Sequence, residues 1–293
     1  MNDKAIFVWQ GKVCRKARLA EDAAFAAGEV RKAAVAGDPA AQLSWGLMLL
    51  DGHGTPRDLD AAFKWIQLSA RAGGRDAANM LGRCHELGWG TPISLTSAAR
   101  CYRAAAELGH AWAQFNLACL ILREDGVPGE LAEALGMLAR SARRGNAKAM
   151  NMLGRCREEG WVGEPNLKSA RRWYLRAARG GCFRGAFHTA RHLIAGGDID
   201  RAVFWLRKSV SVAPADFCEE LGAMFTNHSD ERLRAISRLA FEQAPRAAMQ
   251  APSNSQIDAT EEAPRASRPR HRRRRGVLGA ARRLATSAGI LRQ

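Results

Sequence analysis

No stretch of the 293-residue chain approaches the ~18 consecutive apolar residues of a membrane-spanning helix, and none is expected. The opening residues, MNDKAIFVWQGKVCRKAR, hold neither an apolar h-region nor a small-residue cleavage site, so no secretory leader is expected. Seven Cys is an odd number, and their spacing has no paired register. That excludes a disulfide framework and points to reduced thiols in a cytoplasmic protein. Catalytic signatures are missing as well. No G-x-x-x-x-G-K-[ST] cradle, no G-x-S-x-G elbow and no strand-then-glycine pattern occurs. Acidic residues are short: 29 Asp and Glu face 45 Lys and Arg, a formal charge of +16. Apolar residues make up 47%, enough to build a core.

What is present is a repeat. Gly46, Gly82, Ala118, Gly154 and Ala190 are 36 residues apart, and Gly222 follows after 32. Ala62, Ala98, Ala134, Ala170 and Ala202 form a second ladder, with steps of 36, 36, 36 and 32. Gly73, Gly109, Gly145 and Gly181 form a third. The missing four residues map to a loop, where Gly160–Asn166 of one unit becomes Gly196–Asp198 in the next. Each unit reads as two helices. The first is Ala77, Ala78, Leu81, Gly82 and Cys84 at helical spacing, followed by a G-x-G loop. The second opens at Asp58, Ser94, Glu130, Asn166 or Asp198, four of which are good N-caps. Small residues on the alanine ladder predict close helix approach, with Trp65, Tyr102, Leu138, Trp173, Tyr174 and Trp205 filling the space between. A pair this thin cannot bury both faces alone, so the units must stack.

The segment Trp173-Tyr174-Leu175-Arg176-Ala177-Ala178 with Gly181, and Cys101-Tyr102-Arg103-Ala104-Ala105-Ala106 with Gly109, resemble the Sel-one-like repeat family, a relative of the tetratricopeptide repeats. The resemblance implies an all-α, right-handed helix-pair solenoid and a non-catalytic adaptor that binds a partner protein or peptide. The expected organisation is a partial repeat over 1–36, five repeats over 37–212, a partial repeat over 213–243, and a disordered arginine-rich tail over 244–293.

In related solenoids the first helix of each unit lines the concave face, which gives a set of partner-binding positions. The second unit supplies Asp76, Asn79, Arg83 and Glu86; the third supplies Trp112, Phe115, Cys119 and Leu122. The fourth supplies Lys148, Asn151, Arg155 and Glu158, and the fifth Arg184, Phe187 and Arg191. Units two and four share N-M-L-G-R-C-x-E-x-G-W, so a polar stripe brackets an apolar one. Either this face binds an extended peptide, or the Arg and Glu are solvated or paired with each other. Trp89 and Trp161 are either plugs beneath their loops or exposed contacts.

Two constellations fail as metal sites. His188 and His192 share a helix face but lack the glutamate of H-E-x-x-H and a third ligand, and read as helix-surface histidines. Cys84-His85 and Cys156 are two units apart, too far for one zinc ion, and read as packing residues. No enzyme activity, metal, cofactor or small-molecule substrate is expected. The tail offers an alternative. From 246 to 293 there are eleven Arg against three acids, a balance of +8. Arg268, Arg270, Arg272, Arg273, Arg274 and Arg275 form a run suited to a polyanion, either nucleic acid or an anionic membrane surface. Val277, Ala281, Leu284, Ala288 and Leu291 beyond it read as a short amphipathic helix.

Overall fold

The computed structural model describes residues 8–9, 12–13, 20–123, 127, 129–161 and 163–250. The tail from 251 to 293, with the arginine run and the amphipathic stretch, lies outside the described residues. The chain divides into two compact units, and the boundary falls within one helix, after Leu120.

The first unit opens with β1 (Val8–Trp9) and β2 (Lys12–Val13), paired antiparallel with Val8 opposite Val13. This two-residue ladder is a small addition to an all-α fold. β-branched and aromatic residues flank Gln10-Gly11 in the sequence, a composition suited to a short ladder. There follow α1 (Ala20–Val35), α2 (Pro39–Asp51), α3 (Leu59–Arg71), α4 (Arg75–Leu87), α5 (Leu95–Glu107) and α6 (Ala111–Arg123). The second unit contains α7 (Leu131–Arg143), α8 (Ala147–Glu159), α9 (Leu167–Arg179), α10 (Phe183–Ala195), α11 (Ile199–Val210), α12 (Ala215–Phe225) and α13 (Glu231–Gln250). The even-numbered helices α2 to α12 are the first helices of successive pairs, and the odd-numbered ones are their partners.

Capping chemistry sets the helix starts. Ala61 N–H donates to the Asp58 carboxylate (2.9 Å), Ser97 N–H to the Ser94 hydroxyl (3.2 Å), Ser169 N–H to Asn166 Oδ1 (2.8 Å) and Arg201 N–H to Asp198 (3.1 Å). Glu130, the one poor capping residue of the five, makes no such bond. All five ladder alanines are fully buried, at 0% exposure. The G-x-G loops have a second duty. A Cβ on Gly54 would stand 2.3 Å from the Ala23 carbonyl oxygen of α1, and one on Gly90 would stand 2.1 Å from the Leu59 carbonyl oxygen of α3. Both glycines have positive φ, so geometry and space each require them. The equal offset, 31 residues in both cases, shows that α1 occupies the place of a second helix in the pair before α2.

The C-terminal end is fuller than expected. α12 and α13 make a complete helix pair rather than a partial one. Leu221, Phe225, Leu233, Ile236 and Ala240 join the core of the second unit. α13 runs to Gln250, beyond the boundary expected at 243, with Pro245 inside it. Pro245 deprives the Phe241 carbonyl of its usual donor. Phe241 is 45% exposed, so water can supply that donor.

Candidate functional site

Two equivalent contacts explain the N-M-L-G-R-C-x-E-x-G-W alternation. Tyr102 of α5 lies on Gly82 of α4, where a Cβ would be 2.6 Å from the ring, and its hydroxyl donates to Glu86 Oε2 at 2.6 Å. Tyr174 of α9 lies on Gly154 of α8, again 2.6 Å from where a Cβ would be, and donates to Glu158 Oε2 at 2.7 Å. Both rings are wholly buried. Burial first, and the neighbouring carboxylate second, push both phenols up from their ordinary value, so they stay protonated donors. The other pairs use smaller residues. Gly46 faces Ile66 in the first repeat with Leu50 at the glutamate position, and the fifth carries Ala190, Ile194 and Leu206. The tyrosine and the acid that satisfies its hydroxyl therefore occur together, each time over a glycine.

In the second unit the contact grows into a buried polar cluster. Arg191 of α10 donates through Nη2 to Glu158 Oε1 at 2.6 Å. His192 Nε2 lies 3.3 Å from Glu158 Oε1. Burial alone would raise the Glu158 carboxyl, but His192, Arg191 and the Tyr174 hydroxyl outweigh it and hold that carboxyl far below the usual range. His188 stacks on Tyr174 with ring centroids 4.5 Å apart. Burial, then the Arg191 charge, lowers its pKa well below the ordinary histidine value, so it is neutral. These two histidines are therefore interior groups, not the helix-surface residues expected from their spacing. The aromatic ring of Tyr174 gives them an apolar neighbour that a one-helix reading cannot show. Among the described residues, no three His, Cys, Asp or Glu side chains gather as a metal site.

The expected partner-binding positions separate into three sets. Asn79, Glu86, Phe115, Asn151, Arg155 and Phe187 are buried and have internal roles. Asn79 Oδ1 accepts from Asn116 (3.2 Å), Arg155 Nη2 donates to Glu159 (3.4 Å), and Phe187 packs edge-on to Phe217. Cys119 and Leu122 are buried as well. Arg83, Glu158 and Arg191 are partly buried, as are Lys148 and Arg184. Asp76 and Trp112 are the exposed pair, at equivalent positions near the starts of α4 and α6. Trp112 is 47% exposed and rests edge-on against buried Phe115, 6.2 Å away. Trp89 is 4% exposed and plugs its loop under the Arg83 guanidinium. Trp161 is more open, with Arg155 over its ring and its Nε1 donating to Glu159 at 3.2 Å. Burial pushes the Cys84 and Cys156 thiols up to about 12, which fits packing residues.

The repeat register agrees with a known signature. The Sel1 repeat matches residues 39–74, 75–110, 113–146, 147–182 and 194–211, more than half of the chain. This chain belongs to the Sel1 repeat family. Its all-α, solenoid-like repeat fold is shared by a Sel1 repeat protein from Oxalobacter formigenes, with a TM-score of 0.62 at 22% identity over 79% of this chain and 98% of that one. It is shared by c5321, a protective antigen of uropathogenic Escherichia coli with an SLR fold (TM-score 0.59, 26% identity). That match covers 81% of this chain but only 53% of the E. coli protein, so this chain spans about half its length. Immunity protein PA5088 from Pseudomonas aeruginosa is similar at a TM-score of 0.52 and 17% identity, over 80% of this chain and 86% of that one. At such identities the O. formigenes and P. aeruginosa chains show the fold alone. Sel1 repeat proteins typically act as protein-interaction scaffolds without catalytic machinery of their own.

Proposed function

We propose that this Sel1 repeat chain is a non-catalytic scaffold in the cytoplasm that takes a partner protein or peptide on the side presented by its first helices. The observation that carries this reading is Trp112. It is a large ring left 47% exposed on a first helix whose other large apolar side chains are buried. A half-exposed tryptophan seated against a buried ring is the residue type that most often anchors a protein partner. Asp76, at the equivalent position on α4, places a charge beside the anchor's row. Of the groove that the sequence suggested, an apolar centre with polar flanks, Asp76 and Trp112 are the exposed positions.

The test is hydrogen exchange of the full chain with and without the partner captured by it. Protection over α4 and α6, lost together with binding in Trp112→Ala/Asp76→Lys, supports the proposal. A partner that survives this double substitution and leaves only when Arg268, Arg270 and Arg272 to Arg275 are replaced by Ser would favour polyanion-type binding through the tail instead.

A further inference from the structure

One second helix of the second unit, α9, stands apart in its charge. α9 carries Lys168, Arg171, Arg172, Arg176 and Arg179 with no acidic residue in its 13 positions, and all five are exposed. By contrast α3 and α5 each carry two basic residues and one acid. Six residues past the buried alanine ladder, Arg140, Arg176 and Lys208 occupy one position on α7, α9 and α11, and all three are exposed. Two of them are braced. The Arg176 guanidinium lies over Trp173 at 5.0 Å, and Lys208 Nζ lies over Trp205 at 5.5 Å and Phe204 at 4.9 Å. Such a contact restricts a long side chain before any partner arrives.

None of these cations enters an ion pair among the described residues. Three of the unit's acids are engaged elsewhere: Glu158 with Arg191, Glu159 with Arg155, and Asp200 with Arg232. Lys168, Arg172 and Arg176 stand four apart in succession, an arrangement of like charges that destabilises a helix. Packing does not require it, because the buried positions of α9 are Ala170, Tyr174, Ala177 and Ala178.

We propose that this basic face, centred on α9, binds the phosphate backbone of a nucleic acid without reading its sequence. Three features favour this occupant. Guanidinium forks match phosphate oxygens in pairs. The cations recur at the repeat interval, which suits a uniformly charged polymer. The exposed large apolar side chains of α9 and α11, Leu167 at the start of α9 and Phe204 beneath Lys208, stand apart at the edges of this face, whereas a protein interface has an apolar centre depleted of charge. This face is separate from the Trp112 row, so either proposal can fail without the other.

The test uses the full chain and a fluorescein-labelled random duplex of about 20 base pairs, with anisotropy read between about 50 and about 300 mM NaCl. The ridge variants are Arg140→Glu/Arg176→Glu/Lys208→Glu and the milder Arg140→Gln/Arg176→Gln/Lys208→Gln, each checked for helix content. Should the first fail to fold, the second carries the reading. A tail variant replaces Arg268, Arg270 and Arg272 to Arg275 with Ser. The expected result is a ridge variant whose slope of log K against log[salt] falls by about 2 to 3, with affinity down about 10- to 100-fold near 100 mM. The tail variant should still show a ridge-dependent slope. A ridge variant with the parent slope overturns the proposal. So does tighter ridge-dependent binding to polyglutamate, or to phosphatidylserine vesicles, than to the duplex.

Discussion

Replacing Gly82 by Ala is the sharpest probe of how the repeats fit together. The new Cβ would lie 2.6 Å from both Tyr102 Cδ1 and Cε1, about 1 Å inside ordinary carbon contact. The ring cannot retreat to solvent, because it is fully buried and its hydroxyl is tied to Glu86 at 2.6 Å. Overpacking of this kind costs about 1–3 kcal/mol, and this site belongs near the upper end. Alanine's better helix propensity offsets about 1 kcal/mol. The net loss is about 1–2 kcal/mol, which lowers Tm by roughly 2–8 °C for a chain of this size. The fifth repeat supplies the remedy, with Ala190, Ile194 and Leu206 at the corresponding positions. Gly82→Ala/Tyr102→Leu should show little net recovery, because relief of the overlap is offset by a Glu86 carboxylate left without its tyrosine donor, at about 1–3 kcal/mol. Adding Glu86→Ile should recover most of the rest. Circular dichroism melts of the four proteins decide the matter. A triple variant no more stable than Gly82→Ala, or a Gly82→Ala protein that melts like the parent, refutes the argument.

Acid should weaken the second unit through His188. Its pKa is lowered by burial in the folded chain, so above about 6.5 neither folded nor unfolded histidine is charged and the full stability is present. As pH falls below that value the unfolded chain takes up a proton that the folded one refuses, and stability drops. His188→Phe should flatten this part of a Tm profile between about pH 8 and pH 5, leaving the smaller slopes from His85, His110 and His228, all likewise lowered by burial. Asn166→Ala should cost about 0.5–2 kcal/mol through the lost bond to Ser169 N–H, while Glu130→Ala should be close to neutral, both read from urea midpoints. Alkylation of the native chain near neutral pH, followed by peptide mass spectrometry, should modify half-exposed Cys101 well before Cys84 and Cys156, whose thiols are buried.

The ladders make the helix pairs, their caps and the buried alanines legible in the sequence. They work because each ladder position faces a neighbour one repeat away, and that neighbour repeats with it. The polar stripe was harder. Asn79, Glu86, Asn151 and Arg155 share one face of their helices, and one-helix logic makes that face solvent-exposed. The tyrosines that bury Glu86 and Glu158 come from the paired helix, 16 residues on. A signal did exist in the chain: its two tyrosines, Tyr102 and Tyr174, occur in the two repeats that have glycine at Gly82 and Gly154 and glutamate four positions later. The histidines failed for the same reason, since only the ring of Tyr174 makes His188 an interior residue. α13 runs on past 243 although the segment there is rich in small and polar residues and contains Pro245. Composition there does not report the burial of Ala244.

The glycines at 54 and 90 constrain how such a chain can grow. Opposite each stands a main-chain oxygen, which no substitution elsewhere can trim away. A duplication that copies a whole 36-residue block carries its own glycine to the new junction and leaves the spacing intact. An insertion that moves the junction by a single position puts a side chain against that oxygen and pries neighbouring pairs apart. Copy number is thus free to drift in whole units, while the two seams at Gly54 and Gly90 hold their glycines.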